Sequence, residues 1–364
     1  MRPDGSTMAA IWRLFVWSMN LLLAGVHSGF DWTGRKLGVK GDPIANGWKA
    51  ALIQVRGDWE FYCQMVDFPQ WNGAVRCCWL CRASNSVERF LWTNMGPDAP
   101  WRASVWSHSQ YLDCLREEGS LPPLLFGVIG LTLQCIHIDV LHTVDQGVAS
   151  HIIGNVFIEC MQSHGTNQEA RMSWLQKEVL SWGKRFKPGS KLQGKLTFER
   201  LKTDGGWPKL KAKAAATRHL SHLALEMAQN HCSGSQHDRI RVRICDLLVR
   251  FYVLLDKEGV FMSSNAQAEV CKLGNDLCRL YAALSAEALA PPASRAWKMV
   301  PKFHLFLHLC ELQVGVKGNP RYYWTYCDED LQRHVKEIAQ SCHPSTLPTT
   351  SMYKWLLLVF EGWV

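Results

Sequence analysis

The sequence contains no internal repeat and no low-complexity tract, and charged residues make up only 20% of it against 47% hydrophobic ones. Those absences exclude a disordered tail, a collagen-like fibre and a coiled coil, and leave a chain able to bury a core. A paired cysteine framework is also missing. The 14 cysteines are scattered, and Cys160, Cys245, Cys271 and Cys278 fall inside apolar patterns, where a free thiol acts as a small hydrophobe. That usage points to a reducing compartment. The 364 residues give room for one large domain or two ordinary ones.

Met8 to Val26 is mostly apolar, yet it carries Arg13 near its middle, then Ser18 and Asn20, and lacks a small-residue cleavage site. A charge at the centre of a membrane span is costly, so we expect a buried strand-and-helix segment here. A membrane anchor or signal is the competing reading.

What is abundant is tryptophan (17 residues) and positive charge, formally +8. The charge is concentrated between Lys184 and Arg218. Lys184, Arg185, Lys187, Lys191, Lys195, Arg200, Lys202, Lys209, Lys211, Lys213 and Arg218 face only Glu199 and Asp204, so this segment carries +9 and the rest of the chain −1. With Trp207 and several glycines interleaved, a basic stripe on a neutral body suggests a nucleic-acid partner; the alternative is a solvated, solubilising loop.

Three parts are expected. Residues 1–150 mix strand and helix, with Ala51–Val55 as a buried strand ending before Gly57-Asp58, and Cys135–Leu141 as a second strand. Residues 151–295 are helical, interrupted by the basic loop 184–218. Within them, Ile240, Ile244, Leu247, Leu248, Phe251, Leu254 and Leu255 make a helical stripe ending near Gly259, and Ser264 with Gln267 has capping-box spacing ahead of a second helix. Ala290-Pro291-Pro292 breaks the chain, and residues 296–364 form a C-terminal unit.

Five local patterns carry chemistry. Asp58, ending a strand after Gly57, suits a metal ligand or a helix cap. Cys78 and Cys81 have the CxxC spacing of half a zinc site, or are two packed thiols; no second CxxC follows, so closing the site requires Cys114, Cys135 or a histidine. Asp139 and His142 share a helix face at a strand-to-helix junction, as a functional pair or as a cap beside a core histidine. His304 and His308 are spaced i, i+4 without an HExxH glutamate, which favours core histidines over a metal site. Asp328, Glu329 and Asp330 follow an aromatic run and suit the first turn of a helix.

Taken in order, Gly57-Asp58, Cys78-x-x-Cys81, Asp139-x-x-His142, a helical insertion, Lys302-x-His304-x-x-x-His308-Leu309, Gly318-Asn319-Pro320 and Trp324-Thr325-Tyr326-Cys327-Asp328-Glu329 resemble the cut-and-paste DNA transposases of the CACTA (En/Spm-like) group and their Plavaka-like relatives. The resemblance covers roughly residues 45–335. It implies an α/β fold, an RNase H-like mixed sheet flanked by helices and interrupted by a large all-α insertion. It also implies two-metal phosphodiester cleavage and strand transfer on three carboxylates holding two Mg²⁺ ions. On that template Asp58 is the second carboxylate and Glu329 the third, with Asp328 as the fallback, while Asp139 and His142 orient the DNA strand or a flipped base. The first carboxylate has no counterpart. Asp42, Asp31 and Asp4 lie 16, 27 and 54 residues before Asp58, the first two too close for the intervening strands and helix. The expectation is a remnant whose chain begins after the first Asp, with impaired catalysis. It would be a nuclear DNA-binding protein and a homo-oligomer, with no small-molecule substrate and no membrane contact. The alternative is a zinc-stabilised, non-enzymatic interaction protein.

Overall fold

In the computed structural model, which describes residues 6–360, strand is confined to two three-residue segments, β1 (Val55–Gly57) and β2 (Ile136–Ile138). They pair in parallel, with Val55 opposite Ile136 and Gly57 opposite Ile138. Apart from these and four isolated bridges, the regular structure described is helical. The mixed RNase H-like sheet expected from the resemblance is not formed; the fold is mostly helical.

The reason lies in the backbone of β2. On the side away from β1, the Gln313 side chain takes both polar groups of Ile138, accepting from its N–H (2.7 Å) and donating to its carbonyl (3.0 Å), and Lys317 Nζ donates to Ile136 O (2.6 Å). A further strand would need those same groups. On the other side, the residues between β1 and β2 include Pro69, Gly73, Gly96, Pro97 and Pro100, which break strands. The expected strand at Ala51–Val55 is also displaced towards its end, because Ile53 is 74% exposed rather than buried.

The helices run in chain order: α1 (Ser6–Ala24), α2 (Trp59–Met65), α3 (His108–Glu117), α4 (Ser150–Met161), α5 (Gln168–Phe186), α6 (Ala214–Asn230), α7 (Gln236–Lys257), α8 (Ser264–Leu289), α9 (Lys302–His308), α10 (Val314–Lys317), α11 (Tyr326–Gln340) and α12 (Leu347–Phe360). A π-helical stretch, Leu141–Ala149, leads from β2 into α4. α4, α6, α7, α8 and α9 supply most of the helical part of one continuous apolar core reaching from Trp59 to Val314. The apolar stripes of α7 and α8 face that core, as their periodicity predicts. Their ends differ by a residue or two: Ser263 rather than Ser264 caps α8, accepting from Ala266 N, and α7 stops at Lys257, two residues short of Gly259.

The N-terminal apolar segment is neither buried nor part strand. It is the single helix α1, lying on the surface with Leu21 as its one buried residue among those described. Trp12, Phe15, Val16 and Met19 touch the core, while Ile11 and Leu14 face solvent. Asn20 fixes it to the Leu124–Gly127 turn, donating to Gly127 O (3.0 Å) and accepting from Ile129 N (2.8 Å). Thr7–Ala24 is long and apolar enough, by length and composition alone, to cross a membrane.

One buried carboxyl joins the helical layers. Asp145, fully buried in the π-helical stretch, accepts from Tyr252 of α7 (2.5 Å) and Tyr326 of α11 (2.6 Å). Burial pushes its carboxyl up to about 7, against the opposing effect of the two hydroxyls and of Arg218. A carboxyl raised on folding binds its proton more tightly in the folded state, so its contribution to stability is present below the unfolded value near 3.8 and lost as pH rises through about 7. Asp145→Asn is therefore expected to flatten the fall in stability between about pH 4 and pH 7 by about 4 kcal/mol. Urea midpoints of the two proteins across that range check it; parallel curves would show that Asp145 does not titrate there.

Candidate functional site

The parallel register decides where the site forms. Because Gly57 lies opposite Ile138, the next residues, Asp58 and Asp139, leave adjacent strands at the same end. They line a cleft of about 680 Å³, within the size range of small-molecule sites. Asp58 ends β1 and caps α2, its carboxylate accepting from Phe61 N (2.6 Å). The helix-cap reading of Asp58 is thus present alongside its place in the cleft.

Asp139 is 2% exposed and fully engaged. One oxygen accepts from Thr325 N (2.9 Å). The other is bonded to Thr325 Oγ1 (2.9 Å), His142 N (2.9 Å) and His142 Nδ1 (2.7 Å). The far nitrogen of His142 lies 3.3 Å from Glu329 Oε1 on α11. Burial works to raise the Asp139 carboxyl, but the bonds from His142 and Thr325 outweigh it and hold it below the ordinary carboxylate value. Burial likewise works to lower His142. The Asp139 hydrogen bond, and then the charges of Asp139, Asp58 and Glu329, outweigh it and raise the imidazole. Asp58, Asp139, His142 and Glu329, drawn from positions up to 271 residues apart, therefore converge on one imidazole.

Nothing in this arrangement supports the two Mg²⁺ ions implied by the resemblance. A two-ion site needs carboxylate oxygens free to coordinate and bridge. Asp139 takes three donors on one oxygen and one on the other, one Asp58 oxygen caps α2, and Asp328 is paired with Arg56 (2.7 Å). Between Asp139 and Glu329 stands a proton-bearing ring rather than a vacant coordination position. Of the acids upstream of Asp58, Asp31 accepts hydrogen bonds from Thr33 and Arg35 in its own turn, and Asp4 lies outside the described residues.

A second cluster is a better metal site. Cys78, Cys81, His304 and His308 are all buried, and their ligand atoms lie within 4.8 Å of one another. Cys81 Sγ is 3.3 Å from Nε2 of each histidine, and the two Nε2 atoms are 3.0 Å apart. A tetrahedral ion with bonds of about 2.3 Å to sulfur and about 2.0 Å to nitrogen needs N–N and S–N edges of about 3.3–3.6 Å, so these atoms stand close to coordinating positions. The four residues could hold a metal ion. Burial opposes ionising Cys78, but its hydrogen bond with Cys81 and the two imidazoles outweigh that, and its thiol is held below the ordinary value. Trp101 sets its ring edge-on to both imidazoles at 4.4 and 5.3 Å. His304 and His308 are core histidines, as expected, and at the same time complete the CxxC half-site across 223 residues of sequence. The matching clue was the spacing of each pair, i, i+3 and i, i+4, which makes two halves of one site.

The basic segment is only partly a loop. Lys184 and Arg185 end α5, Phe198–Leu201 forms a short 3₁₀ turn, and Arg218 lies within α6. Lys184, Arg185, Lys187, Lys191, Lys195, Lys211 and Lys213 are at least partly exposed. Arg185 pairs with Glu226 and Lys211 with Asp204. Arg218 pairs with Asp256 and lies over the rings of Tyr252 and Trp324. Lys209 instead turns into the cleft, which it lines with Lys298, Lys302, His151 and Trp207. Of this wall only Lys209 is a candidate from sequence, since nothing local marks Lys298 or His151 as sharing a cleft with Asp58.

No protein-family model matches the chain, and no curated protein is significantly similar to it.

Thr325 supplies two of the four donors to a buried carboxylate and links α11 to β2. Thr325→Val removes the hydroxyl donor while keeping the shape of the side chain. It is expected to destabilise the protein by about 1–3 kcal/mol, read from the denaturation midpoint. Unchanged stability would mean that Asp139 is satisfied without the Thr325 hydroxyl.

Proposed function

We propose that this chain is a zinc-stapled DNA-binding protein of transposable-element origin that holds DNA without cutting it. The observation that carries the reading is convergence. The short motifs that together resemble a cut-and-paste transposase are scattered over some 270 residues, yet they meet in two clusters: Asp58, Asp139, His142 and Glu329 in one, Cys78, Cys81, His304 and His308 in the other. Chance matches would have no reason to meet.

Zinc is the metal that the second cluster suits. A buried set of two thiolates and two imidazoles with tetrahedral spacing favours zinc, and four protein ligands with no open position favour a structural role. The ion would clamp the loop carrying Cys78 and Cys81 to α9. The DNA would lie along the exposed lysines and arginines between Lys184 and Lys213, whose attraction for phosphates is independent of sequence. A non-cutting role is supported by Asp139, whose carboxylate takes four protein donors, and by the imidazole set between it and Glu329.

Two measurements test this. Purified protein is expected to retain about one zinc per chain. Cys78→Ser should lose it, and a chelator should lower the melting temperature of the parent protein. Protein that is metal-free and as stable as before would remove the staple. For DNA, replacing Lys184, Arg185, Lys187, Lys191, Lys195 and Lys213 by Gln should reduce the slope of log affinity against log salt by about 0.9 for each phosphate that the protein no longer neutralises. An unchanged slope would leave the non-enzymatic interaction protein as the better reading, and Mg²⁺-dependent nicking would overturn the non-cutting role.

A further inference from the structure

The wall of the cleft opposite the acids is a constructed one. Two glycines place its lysines. A Cβ on Gly154 would lie 2.6 Å from the backbone of Lys209, and one on Gly147 would lie 2.6 Å from Cδ of Lys302. Only the absence of those side chains lets the two lysines approach the π-helical stretch and α4 so closely. Lys209 is further held by its N–H to Leu201 O (2.8 Å), and Lys302 donates to His142 O (2.7 Å). Lys298 reaches over the ring of Trp207, 5.6 Å from its centroid.

These three cations share the cleft with Asp58, Glu60, Asp139 and Asp204 but form no ion pair with them. Among the described residues, none of Lys209, Lys298 and Lys302 has a carboxylate within ion-pairing distance. In their midst His151 is 5% exposed, and its Nδ1 has no hydrogen-bond partner. Burial and the neighbouring Lys209, Lys302 and Lys298 keep this imidazole neutral, while its ring bonds the backbone at Pro208. A neutral ring that donates to a carbonyl from one nitrogen leaves the other as a bare acceptor. The wall thus offers three cations for an anion and an indole face, with the neutral ring of His151 packed behind them.

We propose that this wall is a binding site for a nucleoside monophosphate unit. The phosphate would lie among Lys209, Lys298 and Lys302, and the base would stack on Trp207. Base–aromatic stacking tolerates any base. The same chemistry is presented by a free nucleotide and by the phosphorylated end of a DNA strand. The inference rests on the DNA-binding reading only for which of these is the source; the recognition of the unit stands on the wall itself.

The experiment is a fluorescence and calorimetric titration of the full chain with dAMP, deoxyadenosine, inorganic phosphate and a short 5′-phosphorylated single strand. Saturable binding of dAMP is expected, with deoxyadenosine and phosphate each weaker. Lys298→Gln, a change at an exposed position that should leave folding intact, should weaken dAMP about tenfold, as loss of one charge-assisted hydrogen bond implies. Trp207→Phe should remove the quenching of fluorescence. A strand end that binds far tighter than dAMP identifies DNA as the source, and equal affinities identify a free nucleotide. Absence of saturable dAMP and strand-end binding, or binding indifferent to Lys298→Gln, overturns the site. Failure of the basic-segment substitutions to change duplex binding would overturn the DNA reading while leaving dAMP binding intact, so the two can fail separately.

Discussion

Most of this structure hangs on the carboxylate of Asp139. It stands at the end of a three-residue strand, out of water, and is stabilised only because donors arrive from two directions: His142, one turn ahead on the π-helical stretch, and Thr325, 186 residues away at the start of α11. A buried charge left without such partners would be strongly destabilising. The demand for donors therefore holds α11 against the strand pair and sets Glu329 beside His142. Asp145 repeats the device one turn further on, with two tyrosine hydroxyls in place of an imidazole and a threonine.

The second constraint is the Cys78, Cys81, His304 and His308 cluster. It lies at the other end of the same short helix that carries Lys302, so the metal-sized cluster and the cleft share a support. α9 runs only from Lys302 to His308. Its first residue enters the cleft, and its third and seventh face the two cysteines. Less than two turns of helix separate the cluster from Lys302.

The helical half of the fold was legible in the sequence because α7 and α8 are long, their apolar stripes are regular and tertiary contacts agree with local preference. The end of β1 at Gly57-Asp58 and the turn at Asp139-x-x-His142 were legible for a similar reason, since both are local chemistry. What was not legible was set at a distance. Whether a strand such as β2 acquires a neighbour depends on what reaches its free edge, and here Gln313 and Lys317 arrive first. The sequence of Cys135–Leu141 cannot carry that information. The pairing of Cys78 and Cys81 with His304 and His308 was half visible, as two ligand spacings with nothing local to join them. α1 misled for the opposite reason: its composition suits burial, but its neighbours cover only one side of it.

The way β2 is finished has a further consequence. A strand edge is a standing invitation to a strand from another molecule, which can dock by backbone hydrogen bonds alone. By answering the groups of Ile136 and Ile138 with an amide and an ammonium from its own chain, the protein closes that edge without extending the sheet. The result is a cleft-bearing strand pair whose β2 edge is closed to a strand from another molecule.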